Sequence, residues 1–147
     1  MKASEIMTRN PECVTREDTV RRAAQIMREL NVGFVPVVDD RDSMRLTGVI
    51  TDRDIAIRHV ADQHDGECKV GDDMTSGEVR AVSPDTDVQE VMETMRRDQI
   101  RRVPVVEGSE RRLVGVIAQA DIATENIGHS EVGETVERIS EPGKPRR

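Results

Sequence analysis

The sequence predicts a mixed α/β fold built from two copies of one strand-and-helix unit, packed about a pseudo-twofold axis. Three observations predict it. Val35-Pro36-Val37-Val38, then Leu46-Thr47-Gly48-Val49-Ile50-Thr51-Asp52-Arg53-Asp54, recurs as Val103-Pro104-Val105-Val106, then Leu113-Val114-Gly115-Val116-Ile117-Ala118-Gln119-Ala120-Asp121. Upstream, Cys13-Val14-Thr15 aligns with Ala81-Val82-Ser83, Val20 with Val88, and Met27-Arg28 with Met95-Arg96. The offset is 68 residues before the hairpin loops and 67 after them, so the first copy carries one extra loop residue. Packing two copies about such an axis creates equivalent clefts, and clefts are where ligands are held.

Each element follows from local pattern. Ser4-Glu5-Ile6-Met7-Thr8 is a short lead-in, echoed by Gly71-Asp72-Asp73-Met74-Thr75. Cys13-Val14-Thr15 is a brief extended piece. A helix is predicted from about Thr19 to Leu30, because Val20, Ala23, Ala24, Met27 and Leu30 fall at helical spacing. Asn31-Val32-Gly33 ends it. Val35 to Val38 reads as a buried strand with Pro36 at its entry, where a missing N–H is tolerated. Asp39 to Arg45 is a polar loop and Leu46 to Ile50 a second buried strand, paired antiparallel with the first across that short loop. Thr51 or Asp52 caps a helix running to about Ala61. The second copy repeats this order. Asp87 and Glu90 make a capping-box-like start, and Val88, Val91, Met92 and Met95 form the apolar stripe, its Met residues reading as core filler. The polar residues 62–70, with Gly66, form a linker. The repeats therefore span residues 7–65 and 74–130. The tail 131–147 holds a short helix at Glu134 to Ile139 and a frayed end.

Composition limits the function classes. At roughly 60 residues, each repeat is near the lower limit for an independent core, so the halves are expected to share one. The net charge of −7 gives no general attraction to nucleic acid or an anionic membrane. Nineteen Arg stand against three Lys. That excess suits bidentate contacts to phosphate or carboxylate, or it reflects genomic base composition. Phe34 is the sole aromatic residue, which argues against base-stacking surfaces. Cys13 and Cys68 show no metal spacing and read as free thiols of a reducing compartment. The N-terminus lacks an apolar signal core and no apolar run reaches membrane-spanning length. A cytoplasmic protein without nucleic-acid or membrane partners is expected.

With its Met-Thr lead-ins, Val-Pro-Val-Val strands, Gly-Val-Ile strands and following Asp-Ile, the chain resembles a tandem pair of CBS domains, or Bateman module, from roughly Ser4 to Ile127. Its Thr51-Asp52-Arg53-Asp54-Ile55 string is similar to that of stand-alone CBS pairs of the mycobacterial hypoxic-response type. The resemblance implies an α/β (α+β) fold of two βαββα-type CBS repeats. It also implies a homodimer and an adenosine-containing ligand in the clefts between repeats. AMP, ADP, ATP or S-adenosylmethionine is the regulatory ligand to expect, with no cofactor. The homodimer expectation is strengthened by the stripe Val20, Ala24, Met27, Val88, Met92 and Met95, which is more apolar surface than one small core requires.

The candidate site is the strand-to-helix turn at Thr51 to Asp54. Free backbone N–H groups at a helix start favour an anion. The Thr51 hydroxyl can donate to phosphate, and the Asp54 carboxylate can accept from two ribose hydroxyls. The matching Ser/Thr and Asp play those roles in the family. The plainer alternative is that Thr51 and Asp52 cap the helix while Asp54 is a solvated first-turn acid. In the second copy Ala118 replaces the Thr. Asp121 remains, so two unequal sites are expected. Arg101-Arg102 stands where the first copy has Gly33-Phe34, either reaching phosphate across the cleft or as a solvated pair before a strand. Phe34 lines an adenine pocket or belongs to the core. Cys13, Val14 and Val35 match family positions that line the base. Asp52 would repel phosphate unless it points outward. His59, Asp62, His64 and Asp65 lack an i,i+4 His pair and read as a solvated linker, so no metal is expected. No phosphate-binding glycine loop or nucleophile motif is present, and no enzyme activity is expected. Two functions fit: a nucleotide sensor signalling to an unknown protein partner, and a ligand-independent dimeric adaptor.

Overall fold

A computed structural model of the chain describes residues 1–65, 67–77 and 79–124. The expected helix at Glu134 to Ile139, the tail 131–147 and the end of the second repeat lie outside the described residues. Two compact units are formed. The first-repeat unit comprises Glu12–Val79 with Ser109–Leu113. The second-repeat unit comprises Met1–Pro11, Arg80–Gly108 and the described residues from Val114 on.

In the first-repeat unit, β2 (Val14–Thr15) leads to helix α2 (Val20–Leu30), then β3 (Phe34–Val38) and β4 (Leu46–Thr51). Thr19 caps α2 by accepting from Arg22 N at 3.1 Å, and Asn31 ends it in the left-handed region with φ 53°. The buried face is Val20, Ala23, Ile26 and Met27. Ala24 and Leu30 are exposed, contrary to expectation. Ala24 sits on the shoulder of the stripe, and Leu30 is the last helical residue before the left-handed turn. The strands pair antiparallel from Phe34↔Thr51 to Val38↔Leu46. Pro36 lies mid-strand opposite Val49, not at the entry. It is tolerated because β2 pairs only with Val37 and Val38, so no partner strand calls on an N–H from Pro36 at that edge. Helix α3 starts at Asp52–Asp54 and continues as a π-wound segment, Ile55–Val60.

The lead-ins are exchanged. Helix α4 (Val70–Asp73) and β5 (Thr75–Ser76) stand at the start of the second sequence copy, yet β5 pairs with β4. The four-stranded sheet is therefore ordered β2-β3-β4-β5. The chain's first lead-in, α1 (Ala3–Ile6) and β1 (Thr8–Arg9), does the same in the second-repeat unit, where β1 pairs antiparallel with β7 (Arg112–Ala118). That sheet is ordered β1-β7-β6, with β6 at Arg102–Glu107. Helix α5 (Val88–Asp98), capped by Asp87 accepting from Gln89 N at 2.9 Å, precedes it, and α6 (Gln119–Thr124) follows.

The glycine of each Gly-Val-Ile strand makes this exchange possible. A Cβ at Gly48 would collide with the Met74 side chain and lie 2.5 Å from the Thr75 carbonyl oxygen. A Cβ at Gly115 would lie 2.6 Å from Met7 Sδ and 3.0 Å from the Thr8 carbonyl oxygen. Each glycine admits the Met-Thr lead-in of the other copy.

The expected single shared core is instead two clusters. Val14, Val20, Ala23, Ile26, Met27, Val35, Val37 and Ile50 are joined by Val70 and Met74 from the exchanged lead-in. Val88, Val91, Met92, Met95, Val103, Val105, Ile117 and Ile122 are joined by Ala3 and Ile6. Each small repeat thus enlarges its buried surface by borrowing a lead-in, which answers the size limit on such domains. Except for exposed Ala24, the stripe that suggested dimerisation is consumed inside these clusters.

Candidate functional site

Thr51 and Asp54 are brought together by the turn from β4 into α3. Thr51 Oγ1 accepts from Asp54 N at 3.1 Å, while Asp54 Oδ2 accepts from Thr51 N at 3.0 Å. This reciprocal capping box satisfies two orphan donors at once. Thr51 is half-buried, and neither bond uses its hydroxyl proton, which stays available to a ligand oxygen. Asp54 is not the solvated first-turn acid of the plainer reading: it is 4% exposed. Thr75 Oγ1 donates toward both its oxygens at 3.2 and 3.3 Å, and Arg58 Nε lies 4.0 Å from Oδ1. A buried carboxylate needs such partners, because stripping water from an unpaired charge is costly. Sequence reasoning missed Thr75 and Arg58. Thr75 was visible as the second Met-Thr motif, but nothing local says that a lead-in packs on the other copy's hairpin.

The turn at the end of β7 keeps half of this arrangement. Asp121 Oδ2 accepts from Ala118 N at 2.7 Å, matching the Thr51 N–Asp54 bond. With Ala118 there is no hydroxyl to return the cap. Asp121 is half-buried, and Thr8, the counterpart of Thr75, is exposed. Arg101 is exposed and Arg102 half-buried. Both stand at this turn in their own unit, where Gln119 N donates to the Arg101 carbonyl at 2.8 Å. The same backbone bond in the first-repeat unit runs from Asp52 N to Gly33 O at 3.0 Å. There the exposed Asp52 carboxylate lies over Gly33, 2.6 Å from where a Cβ would be. The position held by Arg101 in one copy is thus overlain by an acidic side chain in the other.

The remaining candidates lie in the first-repeat unit. Phe34 is half-buried and pairs directly across from Thr51. Val14 and Val35 are 0% and 1% exposed and belong to the core cluster, and each is paired in the sheet, with Val37 and Ile50 respectively. Cys13 is half-buried with its Sγ 3.9 Å from Met44 Sδ. Burial pushes the Cys13 thiol above its ordinary value, with the Arg41 charge pulling the other way. Beside it, the Asp18 carboxylate accepts from Thr15 N at 2.8 Å and Arg41 Nη2 at 3.1 Å. Its partial burial favours the neutral acid, but these bonds prevail and hold it below its usual range.

The linker reading of His59 is corrected. His59 is 6% exposed and its Nδ1 lies 2.9 Å from Asp73 Oδ2. His64 Nδ1 lies 3.1 Å from Asp73 Oδ1. The two rings meet edge to face with centroids 5.7 Å apart. Asp62 and Asp65 are exposed, as the linker reading expects.

Two segments of the chain, residues 3–59 and 70–128, each match the CBS domain. The chain belongs to the CBS-domain family. Hypoxic response protein 1 of Mycobacterium tuberculosis is 38% identical over 130 residues, covering 88% of each chain. The crystal structure of Hypoxic Response Protein I with two coordinated zinc ions matches with a TM-score of 0.74, covering 84% of this chain and 97% of that one. A CBS domain protein from Pyrobaculum aerophilum complexed with AMP is 28% identical with a TM-score of 0.73, covering 93% and 99%. A CBS domain pair in complex with 5′-methylthioadenosine and S-adenosyl-L-methionine is 28% identical with a TM-score of 0.71, covering 84% and 93%. The two repeats read from the sequence are thus CBS repeats, and the fold is that of a CBS pair. Among the described residues no helix is long and apolar enough to cross a membrane.

Proposed function

We propose that this CBS pair is a cytoplasmic, non-catalytic sensor that binds an adenosine-containing nucleotide and signals to a separate protein partner. The observation that carries the reading is the turn shared by β4 and β7. In both, a backbone N–H pins a carboxylate three residues ahead, and in the first copy a hydroxyl with a free proton stands beside it. The complexes of related pairs with AMP and with S-adenosylmethionine support the ligand class. In this reading Thr51 donates to phosphate, and Asp54 and Asp121 accept from ribose. Phe34, Cys13, Val14 and Val35 flank the base, and Arg101 and Arg102 serve the phosphate as cations. The ligand acts by preferring one conformation of the pair over another.

The same reading includes a homodimer. Its support is the exposed apolar side chains of Leu30, Ile57 and Val60, at 51%, 48% and 65%, in place of the stripe that the cores consume. Zinc, named for the mycobacterial neighbour, supports a separate metal-binding capacity of this chain. A ligand-independent adaptor is the second reading. It is favoured by one observation: Asp54 is buried and already partnered by Thr75 and Thr51 N. Calorimetric titration of the purified chain with AMP, ADP, ATP and S-adenosylmethionine separates the two. Saturable heat from at least one of them is expected, and silence from all four leaves the adaptor.

A further inference from the structure

We propose that His59, His64 and Cys68 form a site for a divalent transition metal such as zinc, with Asp73 as the carboxylate that orients both imidazoles. One ligating atom from each of the three lies within 4.8 Å of the others. All four residues belong to the first-repeat unit, and the nucleotide reading uses none of them.

The backbone builds the pair of rings. After the π-wound end of α3, Gln63 takes the left-handed conformation with φ 62°. His64 N then donates to the His59 carbonyl at 2.9 Å, and Gln63 N to the Val60 carbonyl at 3.0 Å. These are the two bonds of a Schellman turn, which brings the residue after the left-handed position back onto the helix three residues before its cap. Those places, which commonly hold an apolar contact, hold His64 and His59 here. In a regular α-helix residues five apart point about 140° from each other, so the sequence spacing concealed the pair. Cys68 is placed independently: its N–H donates to Asp65 O at 3.2 Å, and its carbonyl accepts from Val20 N at 2.8 Å.

The chemistry fits a metal. Asp73 is 1% exposed and gives one oxygen to each Nδ1. A carboxylate that accepts from Nδ1–H fixes the tautomer and leaves Nε2 with its lone pair, which is the usual support of a metal-bound imidazole. Charge balance for Asp73 alone would require neither the second His nor a thiol beside them. Two imidazoles and a thiolate suit Zn²⁺ or Co²⁺ over Mg²⁺ or Ca²⁺, and three protein ligands leave a fourth position open. A tetrahedral ion needs donor atoms roughly 3.5 Å apart, so the cluster closes by about an ångström on loading. His64, whose side chain is 39% exposed, has room to move onto buried His59.

The test uses the full chain without an affinity tag, stripped of metal and titrated with Co²⁺ and then with Zn²⁺ against a chromophoric chelator. The proposal expects one Co²⁺ per chain with a thiolate-to-cobalt charge-transfer band. That band disappears in Cys68→Ser and persists in Cys13→Ser. Zinc affinity falls about tenfold to a hundredfold in Asp73→Asn and at least as far in His64→Ala, with circular dichroism confirming the fold. Absence of stoichiometric uptake at micromolar Co²⁺ overturns the proposal. So does uptake whose band and affinity are unchanged in Cys68→Ser, a one-atom substitution that carries the test even if the histidine variants do not fold.

Discussion

The turns that end β4 and β7 occupy equivalent places in the two repeats, yet they are chemically different. At the first, Thr51 and Asp54 cap each other, and Thr75 of the exchanged lead-in closes the network over a buried carboxylate. At the second, Ala118 and Asp121 keep a single bond, and the acid stays half open to solvent. Repetition fixes the backbone of a turn, because the Asp carboxylate satisfies the same orphan N–H in both copies. Side-chain chemistry can then diverge without disturbing it. One acid has become part of the fold as well as a candidate ligand contact, while the other is free for a ligand but lacks its hydroxyl partner.

The largest expected effects test what the two copies share. Gly48→Ala and Gly115→Ala should each destabilise the chain by about 3 kcal/mol, the upper range for overpacking, because each added methyl meets lead-in backbone. Thermal melting of both variants checks this, and a tolerant Gly115→Ala would mean the β1–β7 contact is looser than its partner. Next comes the divergence itself. Asp54→Ala should cost about 2 kcal/mol, leaving Thr51 N and Thr75 without their acceptor, against about 1 kcal/mol for Asp121→Ala. Equal losses by urea unfolding would dissolve the distinction. Ala118→Thr should complete the second capping box and stabilise by roughly 0.5–1 kcal/mol. It should also add a second, or tighter, nucleotide site in a titration. If the variant folds and binds as before, the missing hydroxyl does not explain the inequality.

The smallest effect concerns acid. Asp18 is held below its ordinary 3.8 against the effect of burial by Thr15 N and Arg41. Asp39 is held below 3.8 first by the Ser43 hydroxyl and then by the backbone N–H groups of Asp40 and Arg45. A folded value below the unfolded one contributes stability that is full above the unfolded value and is lost as pH falls through the folded one. Both groups stand in the first-repeat unit. Stability should therefore decline below about pH 4, and the decline should be shallower in Asp18→Asn, measured by unfolding at graded pH.

Much of this was legible in the sequence. The helical spacing from Val20 to Met27, the β3–β4 hairpin and the cap at Thr51 follow from local pattern, and the repeat located every counterpart. The lead-in exchange did not follow, because two-residue strands carry no periodicity and their partner is set by tertiary register. Glycines 48 and 115 were visible as a motif, but their reason lies in another segment's backbone. Burial of Asp54 depended on Thr75, which the same exchange delivers. The meeting of His59 and His64 depended on one left-handed residue, Gln63, whose conformation nothing in its neighbours announces. Pro36 was misplaced because the ladder on its far side is shorter than the strand.

The central claim is that this CBS pair binds an adenosine nucleotide at two unequal turns. It is tested most directly by calorimetric titration of AMP into the wild type, Asp54→Ala and Asp121→Ala, at a temperature where all three are folded. The account predicts saturable binding to the wild type and a loss of about tenfold to a hundredfold in Asp54→Ala, the cost of removing hydrogen bonds to a charged acceptor. It predicts a smaller loss in Asp121→Ala. No binding to the wild type, or equal losses in the two variants, would contradict it.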